Sequence, residues 1–288
     1  MTTTKLKEFD MQIDVRHASH PEAVREYDTE TLRRHFLVET VFAGGEIRLT
    51  YSHYDRMVIG GATPLADGLP LTAPTAIGQE TFLAERELGA LNIGGAGRII
   101  VDGTSYDLAK YDCLYAGKGA KDVRFESADA ANPAKFYLVS TPAHQTHPTV
   151  LLTREKARHL TPGDAATANK RSIYQFIHPE VCQSCQLTLG FTMIEPGSVW
   201  NTMPAHTHDR RMEAYLYFDL EADQRVFHFM GEPQQTRHML VANEQAVISP
   251  PWSIHSGAGT KNYSFIWAMA GDNKSFTDMD HIAIADLR

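Results

Sequence analysis

Pro204-Ala205-His206-Thr207-His208 is followed by a turn-like Asp209-Arg210-Arg211 and then by Met212-Glu213-Ala214-Tyr215-Leu216-Tyr217-Phe218. Side chains two residues apart on a strand project to one face, so His206 and His208 converge if this stretch is extended. Glu213 opens an aromatic-rich apolar run that reads as the returning strand. Further on, His255 follows the tight Ser249-Pro250-Pro251-Trp252-Ser253 segment. Three imidazoles and one carboxylate suit a borderline divalent cation such as zinc. A lone His-x-His carries little weight, but metal ligands need fixed spacing and deprotonated forms, and chance seldom supplies a full set between strand-like runs. Such a set, held on strands, leaves room for water or substrate when the metal expands its shell.

The chain that must position these groups has 288 residues, the size at which one core tends to split into two. Its 43% hydrophobic and 22% charged residues are those of an ordinary globular protein. A formal net charge of −8 argues against nucleic acid or an anionic membrane surface as partner, since both require a positive field. An anionic substrate must then be met by a local cationic pocket. Met1-Thr2-Thr3-Thr4-Lys5-Leu6-Lys7-Glu8 lacks the apolar core of a secretion signal. No run of about 18 apolar residues occurs. The 3 cysteines do not make a disulfide framework, so a cytoplasmic location is expected.

Residues 16–36 read as short helical pieces, one starting at His20-Pro21-Glu22 and one at Tyr27-Asp28-Thr29-Glu30. From Phe36 onward the pattern is β. Short runs rich in β-branched and aromatic residues recur, with Gly44-Gly45 and Gly60-Gly61 read as breaks between them. Asp102-Gly103, between Gly97-Arg98-Ile99-Ile100-Val101 and Ser105-Tyr106-Asp107-Leu108, predicts a hairpin. The expectation is an all-β-dominated protein of two antiparallel barrels or jelly rolls with a few short helices. Residues 1–150 form a first half without a metal motif. Residues 151–171 form a linker with a short helix over 153–160, and residues 172–288 form the metal-binding half.

Other signals carry less. Cys182-x-x-Cys185 precedes a strand pattern rather than the helix of a redox site and has no second pair, so both are expected to be plain buried cysteines. Gly94-Gly95-Ala96-Gly97 precedes a strand and reads as a turn, not a phosphate loop. His144 and His147 sit in a proline-rich stretch with no partner motif, and His53 reads as a hydrogen-bonded core residue.

His206-x-His208-x4-Glu213 with Pro251-x3-His255 resembles the two cupin motifs, so the halves look like a bicupin. Pro251-Trp252-Ser253 departs from the usual Pro-x-Gly but fits a narrower family. Trp200-Asn201-Thr202-Met203-Pro204, Arg210-Arg211-Met212-Glu213 and Trp252-Ser253-Ile254-His255-Ser256-Gly257 resemble the 5-keto-4-deoxyuronate isomerases. In the first half so do Arg86-Glu87-Leu88-Gly89 and Asn92-Ile93-Gly94-Gly95-Ala96-Gly97, and the likeness runs to Asp286-Leu287-Arg288. The resemblance implies a cytoplasmic zinc enzyme, a homohexamer, with one Zn2+ per subunit on His206, His208, Glu213 and His255. It also implies the conversion of 4-deoxy-L-threo-5-hexosulose uronate to 3-deoxy-D-glycero-2,5-hexodiulosonate in pectin and uronide breakdown. A dioxygenase using iron on the same ligands, a non-catalytic sugar-binding protein and a structural zinc remain the alternatives.

That reaction moves a carbonyl from C1 to C2. Glu195, Tyr174 and His238 are the candidates for moving the proton through an enediolate. The keto-uronate carboxylate calls for a guanidinium, with Arg171, Arg211 and Arg237 as candidates. Arg210 and Arg211 flank a turn, so at most one of them points inward.

Overall fold

The run Arg211–Phe218 is buried at every position, as a strand is when both of its faces are covered. Met212, Ala214, Leu216 and Phe218 join one apolar cluster, whereas Tyr215 and Tyr217 join another. The neighbouring Ser264–Gly271 divides the same way, with Ile266, Ala268 and Ala270 on one side and Phe265, Trp267 and Met269 on the other. In the first half, Leu91, Tyr137 and Val139 share the first of these clusters, while Leu88, Ala90, Phe136 and Leu138 face a third. Two large sheets therefore lie back to back across a common apolar layer, and each closes over its own interior with a smaller sheet.

This architecture is that of a computed structural model that describes residues 12–288. The first large sheet runs Gln12–Arg16, Ile47–Ser52, Val58–Ala62, Phe136–Pro142, Arg86–Asn92, Cys113–Ala116, Val150–Leu152. Its small sheet runs Leu69–Pro70, Val123–Ser127, Gly97–Val101, Thr104–Leu108. The second large sheet runs Arg158–Leu160, Arg171–Ile177, Thr188–Ile194, Ser264–Gly271, Arg211–Phe218, Gln245–Ser249, Leu37–Val38. Its small sheet runs Trp200–Asn201, Ser256–Gly259, Val226–Glu232, Gln235–Val241. Among the described residues the strands pair antiparallel except Gln12–Arg16 with Ile47–Ser52, and the isolated bridge between Gly44 and Thr63 is also parallel. The expectation of two antiparallel barrels is met.

The helix Thr29–Phe36 is capped by Asp28, whose Oδ1 accepts from Thr31 N at 2.8 Å. It buries Leu32 and Phe36 in the interior of the second barrel. Leu37–Val38 then pairs with Gln245–Ser249 as an edge strand. Packing thus joins residues 21–38 to the second half, across the boundary expected at residue 150. In the seam between the barrels, Glu87 accepts from the Tyr115 hydroxyl at 2.7 Å. It also accepts from the N–H groups of Cys185, Gln186 and Leu187 at 2.7, 2.8 and 2.9 Å. A buried carboxylate persists only when so satisfied.

Three local expectations are corrected. The helix over 153–160 is a single 3-10 turn, Arg154–Lys156, without a side-chain cap, followed by the strand Arg158–Leu160. Pairing with the edge of Arg171–Ile177 outweighs an uncapped single turn. Gly60-Gly61 lies inside Val58–Ala62 rather than breaking a strand. A Cβ at Gly60 would stand 2.0 Å from the Arg48 carbonyl oxygen, so close backbone approach demands the glycine. His53 is exposed and stacks on His17 at 4.4 Å instead of entering the core. The Asp102-Gly103 hairpin forms as expected, with φ of +47° and +81°. Cys113, Cys182 and Cys185 are free and buried.

Candidate metal centre

The two-residue strand His206–Thr207 pairs with Asp280–His281, which brings the end of the chain across the mouth of the second barrel. Glu213 stands on Arg211–Phe218, opposite Ser249 on one side and Met269 on the other. His255 follows a turn closed by Ser253 N to the Pro250 carbonyl at 3.0 Å. Ser253 Oγ and Ile254 N tie that turn to Gly231 at 2.9 Å each.

These elements draw one donor atom from each of His206, His208, Glu213 and His255 to within 4.8 Å of one another, all buried. Glu213 Oε2 is 3.0 Å from His208 Nε2 and 3.1 Å from His255 Nε2. His206 Nε2 and His255 Nε2 are 2.9 Å apart. His208 Nδ1 lies 2.8 Å from the Arg211 carbonyl. A carbonyl only accepts, so this nitrogen carries the proton and Nε2 turns a lone pair toward the cluster. Burial, then the neighbouring His255, pushes the His206 imidazole down to about 2. Burial also lowers His255. Burial alone would raise the Glu213 carboxyl, but the adjoining His255 and His208 hold it well below the usual carboxylate range. Neutral imidazoles and an ionised carboxylate are the forms that bind metal. Lone pairs aimed at one another across about 3 Å repel unless a proton or a cation lies among them. The donor set therefore fits a divalent cation.

A cavity of about 410 Å³ opens over His206 and Glu213, within the range of small-molecule sites. Arg171 and Arg211 both reach its wall. Arg171 donates through Nη1 to the Asn169 carbonyl at 2.8 Å, while its buried Nε has no partner among the described residues. Arg211 donates through Nη1 to the Ser275 carbonyl at 2.6 Å and through Nη2 to the Asp278 carbonyl at 3.1 Å, again with Nε bare. Burial lowers both guanidinium pKa values. Arg210 turns outward to Asp278.

The remaining expected residues lie elsewhere. Arg237 borders a different recess, beside Trp252. Glu195 follows the end of Thr188–Ile194 and accepts from Ser172 Oγ at 2.9 Å, outside the cavity wall. Tyr174 accepts from Arg154 Nη2 at 2.7 Å and packs in the layer between the barrels. Arg171 and Ile173 take the cavity face of that strand, so Tyr174, one residue on, takes the other. His238 is exposed on the outer sheet against Phe227. Conversely, the cavity wall includes Tyr215 and His281, neither singled out for the site from sequence. Tyr215 was findable, since it lies two residues beyond Glu213 and shares its face. His281 was not, because only the pairing of Asp280–His281 with His206–Thr207 brings it there.

A buried His3Glu cluster inside one of two back-to-back barrels defines a double-cupin protein with a metal-capable site. The chain belongs to the KduI/IolB family, whose sequence profile matches residues 37–284. A relative from Halalkalibacterium halodurans is 57% identical over 273 residues, covering 95% of this chain and 99% of its own. One from Shouchella clausii is 54% identical over 276 residues, covering 96% and 100%. Both are named 4-deoxy-L-threo-5-hexosulose-uronate ketol-isomerase, which bears out the resemblance read from the motifs. Among solved structures, an IolB-like protein from Salmonella typhimurium LT2 matches with a TM-score of 0.68 at 15% identity, over 86% of this chain and 96% of that one. A Bacillus subtilis oxalate decarboxylase variant matches at 0.54 and 11%, over 76% and 70%. These two likenesses speak for the fold. No helix among the described residues is long and apolar enough to cross a membrane.

Proposed function

We propose that this chain is a zinc-dependent ketol-isomerase converting 4-deoxy-L-threo-5-hexosulose uronate to 3-deoxy-D-glycero-2,5-hexodiulosonate in the breakdown of pectin and other uronides. The observation that carries the reading is the convergence of His206, His208, Glu213 and His255 within 4.8 Å beside a cavity that also presents arginine. The relatives' names supply the substrate. His206, His208, Glu213 and His255 would hold a divalent cation, which would supply Lewis acidity for the carbonyl shift. Arg171, with its unpartnered Nε, binds the uronate carboxylate. Arg211 keeps its Nη groups on backbone carbonyls and adds positive field to the same wall. Trp267, Phe276 and Met279 line the cavity with apolar surface that displaces water from the reacting carbons. The proton passes from C2 to C1 on the cavity side. His281, an imidazole of that wall outside the four-donor set, carries it in place of Glu195, Tyr174 and His238. A homohexamer in the cytoplasm completes the reading.

The test is to incubate the purified protein with the unsaturated-uronate breakdown product and follow the carbonyl shift by NMR, with and without chelator. Isomerisation that stops on chelation and returns with zinc is the expected result. In deuterium oxide, label is expected at the carbon that was C1. Full retention of the hydrogen from C2 would replace the proton route with hydride transfer, and no turnover at all would end the assignment.

A further inference from the structure

The first barrel reaches the metal centre through a hairpin turn. Between Ile47–Ser52 and Val58–Ala62 the chain passes through Asp55 and Arg56, two consecutive non-glycine residues at φ of +46° and +52°. Such residues cost stability unless their surroundings hold them there. Here they are held. Met57 N donates to the Tyr54 carbonyl at 3.1 Å and Ser52 N to the Met57 carbonyl at 2.8 Å. The Tyr54 hydroxyl accepts from Ser19 N at 2.7 Å and donates to the Ser19 carbonyl at 3.0 Å.

The turn delivers Asp55 Oδ2 to 2.8 Å from Met212 N. The other end of that peptide unit, the Arg211 carbonyl, accepts the Nδ1–H of His208 at 2.8 Å. His208 Nε2 in turn faces Glu213. One peptide plane therefore stands between a carboxylate of the first barrel and a donor of the second. We propose that Asp55 is a positioning residue for the metal centre: through the Arg211–Met212 peptide it orients His208 and strengthens Nε2 as a ligand. Metal-binding histidines commonly give their second N–H to a carboxylate or a carbonyl. Here the carbonyl is itself backed by a carboxylate, and hydrogen bonds in series polarise one another. The same bond fixes the start of the strand that carries Arg211 and Glu213. None of the four donors comes from the first barrel, yet that barrel acquires a part in the chemistry.

This inference rests on reading the four donors as a metal site, and its test needs no substrate. Zinc affinity of the full chain is measured at pH 8 by competition with a chromophoric chelator. Asp55→Asn keeps an acceptor but loses the charge, and is expected to bind zinc about tenfold more weakly; Asp55→Ala loses up to about 100-fold. Glu87→Gln disturbs the seam between the barrels without touching the centre, and is expected to bind zinc as the wild type does. Wild-type affinity in Asp55→Asn overturns the proposal, whether or not Asp55→Ala folds. Equal losses in Asp55→Asn and Glu87→Gln overturn it too, because loosening the two halves would then suffice. A wild-type protein that binds no zinc removes the reading of the four donors, and this proposal with it.

Discussion

Two barrels on one plan have opposite interiors. Ile99, Phe125, Phe136 and Leu138 fill the first with hydrocarbon. The second admits Tyr215, Tyr217 and Tyr263 into its core, with His228 among them and Glu213 and His255 at one end. Among the described residues it also holds buried polar atoms without partners, the Nε of Arg171 and Arg211, Nε2 of His228 and the hydroxyl of Tyr263, where the first half has Thr63 Oγ1 and the Tyr137 hydroxyl. Such groups cost stability when buried. The difference teaches a division of labour. Strand parity decides which positions face an interior, and residue type at those positions decides whether the interior packs or reacts. A well-packed neighbour across a wide apolar seam lets the second barrel tolerate a polar core.

The comparison breaks if changes in the two barrels have the same consequence. The largest effect is expected from Glu213→Gln, with zinc content lost and turnover down on the order of 10³–10⁴, about 4–5.5 kcal/mol of transition-state stabilisation. Metal analysis and NMR turnover measure both. Phe125→Ala in the first barrel should cost about 3–5 kcal/mol of folding stability by urea titration and leave the metal content of the folded protein unchanged. If instead Phe125→Ala strips the metal, the packing of the first barrel's interior controls the site beyond the single Asp55 contact. Arg171→Lys sharpens the comparison within the second barrel. Its KM should rise about tenfold with kcat nearly unchanged, since an ammonium cannot reproduce the guanidinium fork. Unaltered kinetics would clear Arg171 of binding the carboxylate.

What the sequence reveals follows the range of the interactions involved. His206, His208 and Glu213 were legible because strand periodicity and one turn relate them, and His255 because a proline-rich turn fixes it. The Asp102-Gly103 hairpin was legible for the same local reason. Tyr174 and His238 fall outside the cavity wall, which residue type without strand parity or sheet membership does not reveal. Tyr174 is one residue out of phase with Arg171 and Ile173, and His238 lies on the outer sheet. The docking of Leu32 and Phe36 into the second barrel, and of Asp55 onto Met212, left no trace in local pattern. Each depends on partners more than 150 residues away, which only the closed fold brings near.

The smallest effect separates the barrels by pH. His228 is fully buried with Nδ1 at 2.8 Å from the Tyr217 hydroxyl, and burial, then His255, pushes it down to about 3. In the unfolded chain it titrates near about 6.5. Below that pH the unfolded state takes up a proton that the folded state refuses. Stability therefore falls as pH drops from about 6.5 toward 3, on the order of 1 kcal/mol per pH unit, and is unaffected by this group above about 7. His228→Gln removes that slope while costing some stability at neutral pH. With chelator present to exclude metal linkage, urea titrations at pH 7 and pH 5.5 should show the gap between variant and wild type closing by about 1 kcal/mol. Among the described residues no buried histidine lies in the first barrel, so Phe125→Ala should keep the wild-type slope. An equal slope in His228→Gln and wild type would mean that His228 is already protonated in the fold, and that the polar core is wetter than its packing implies.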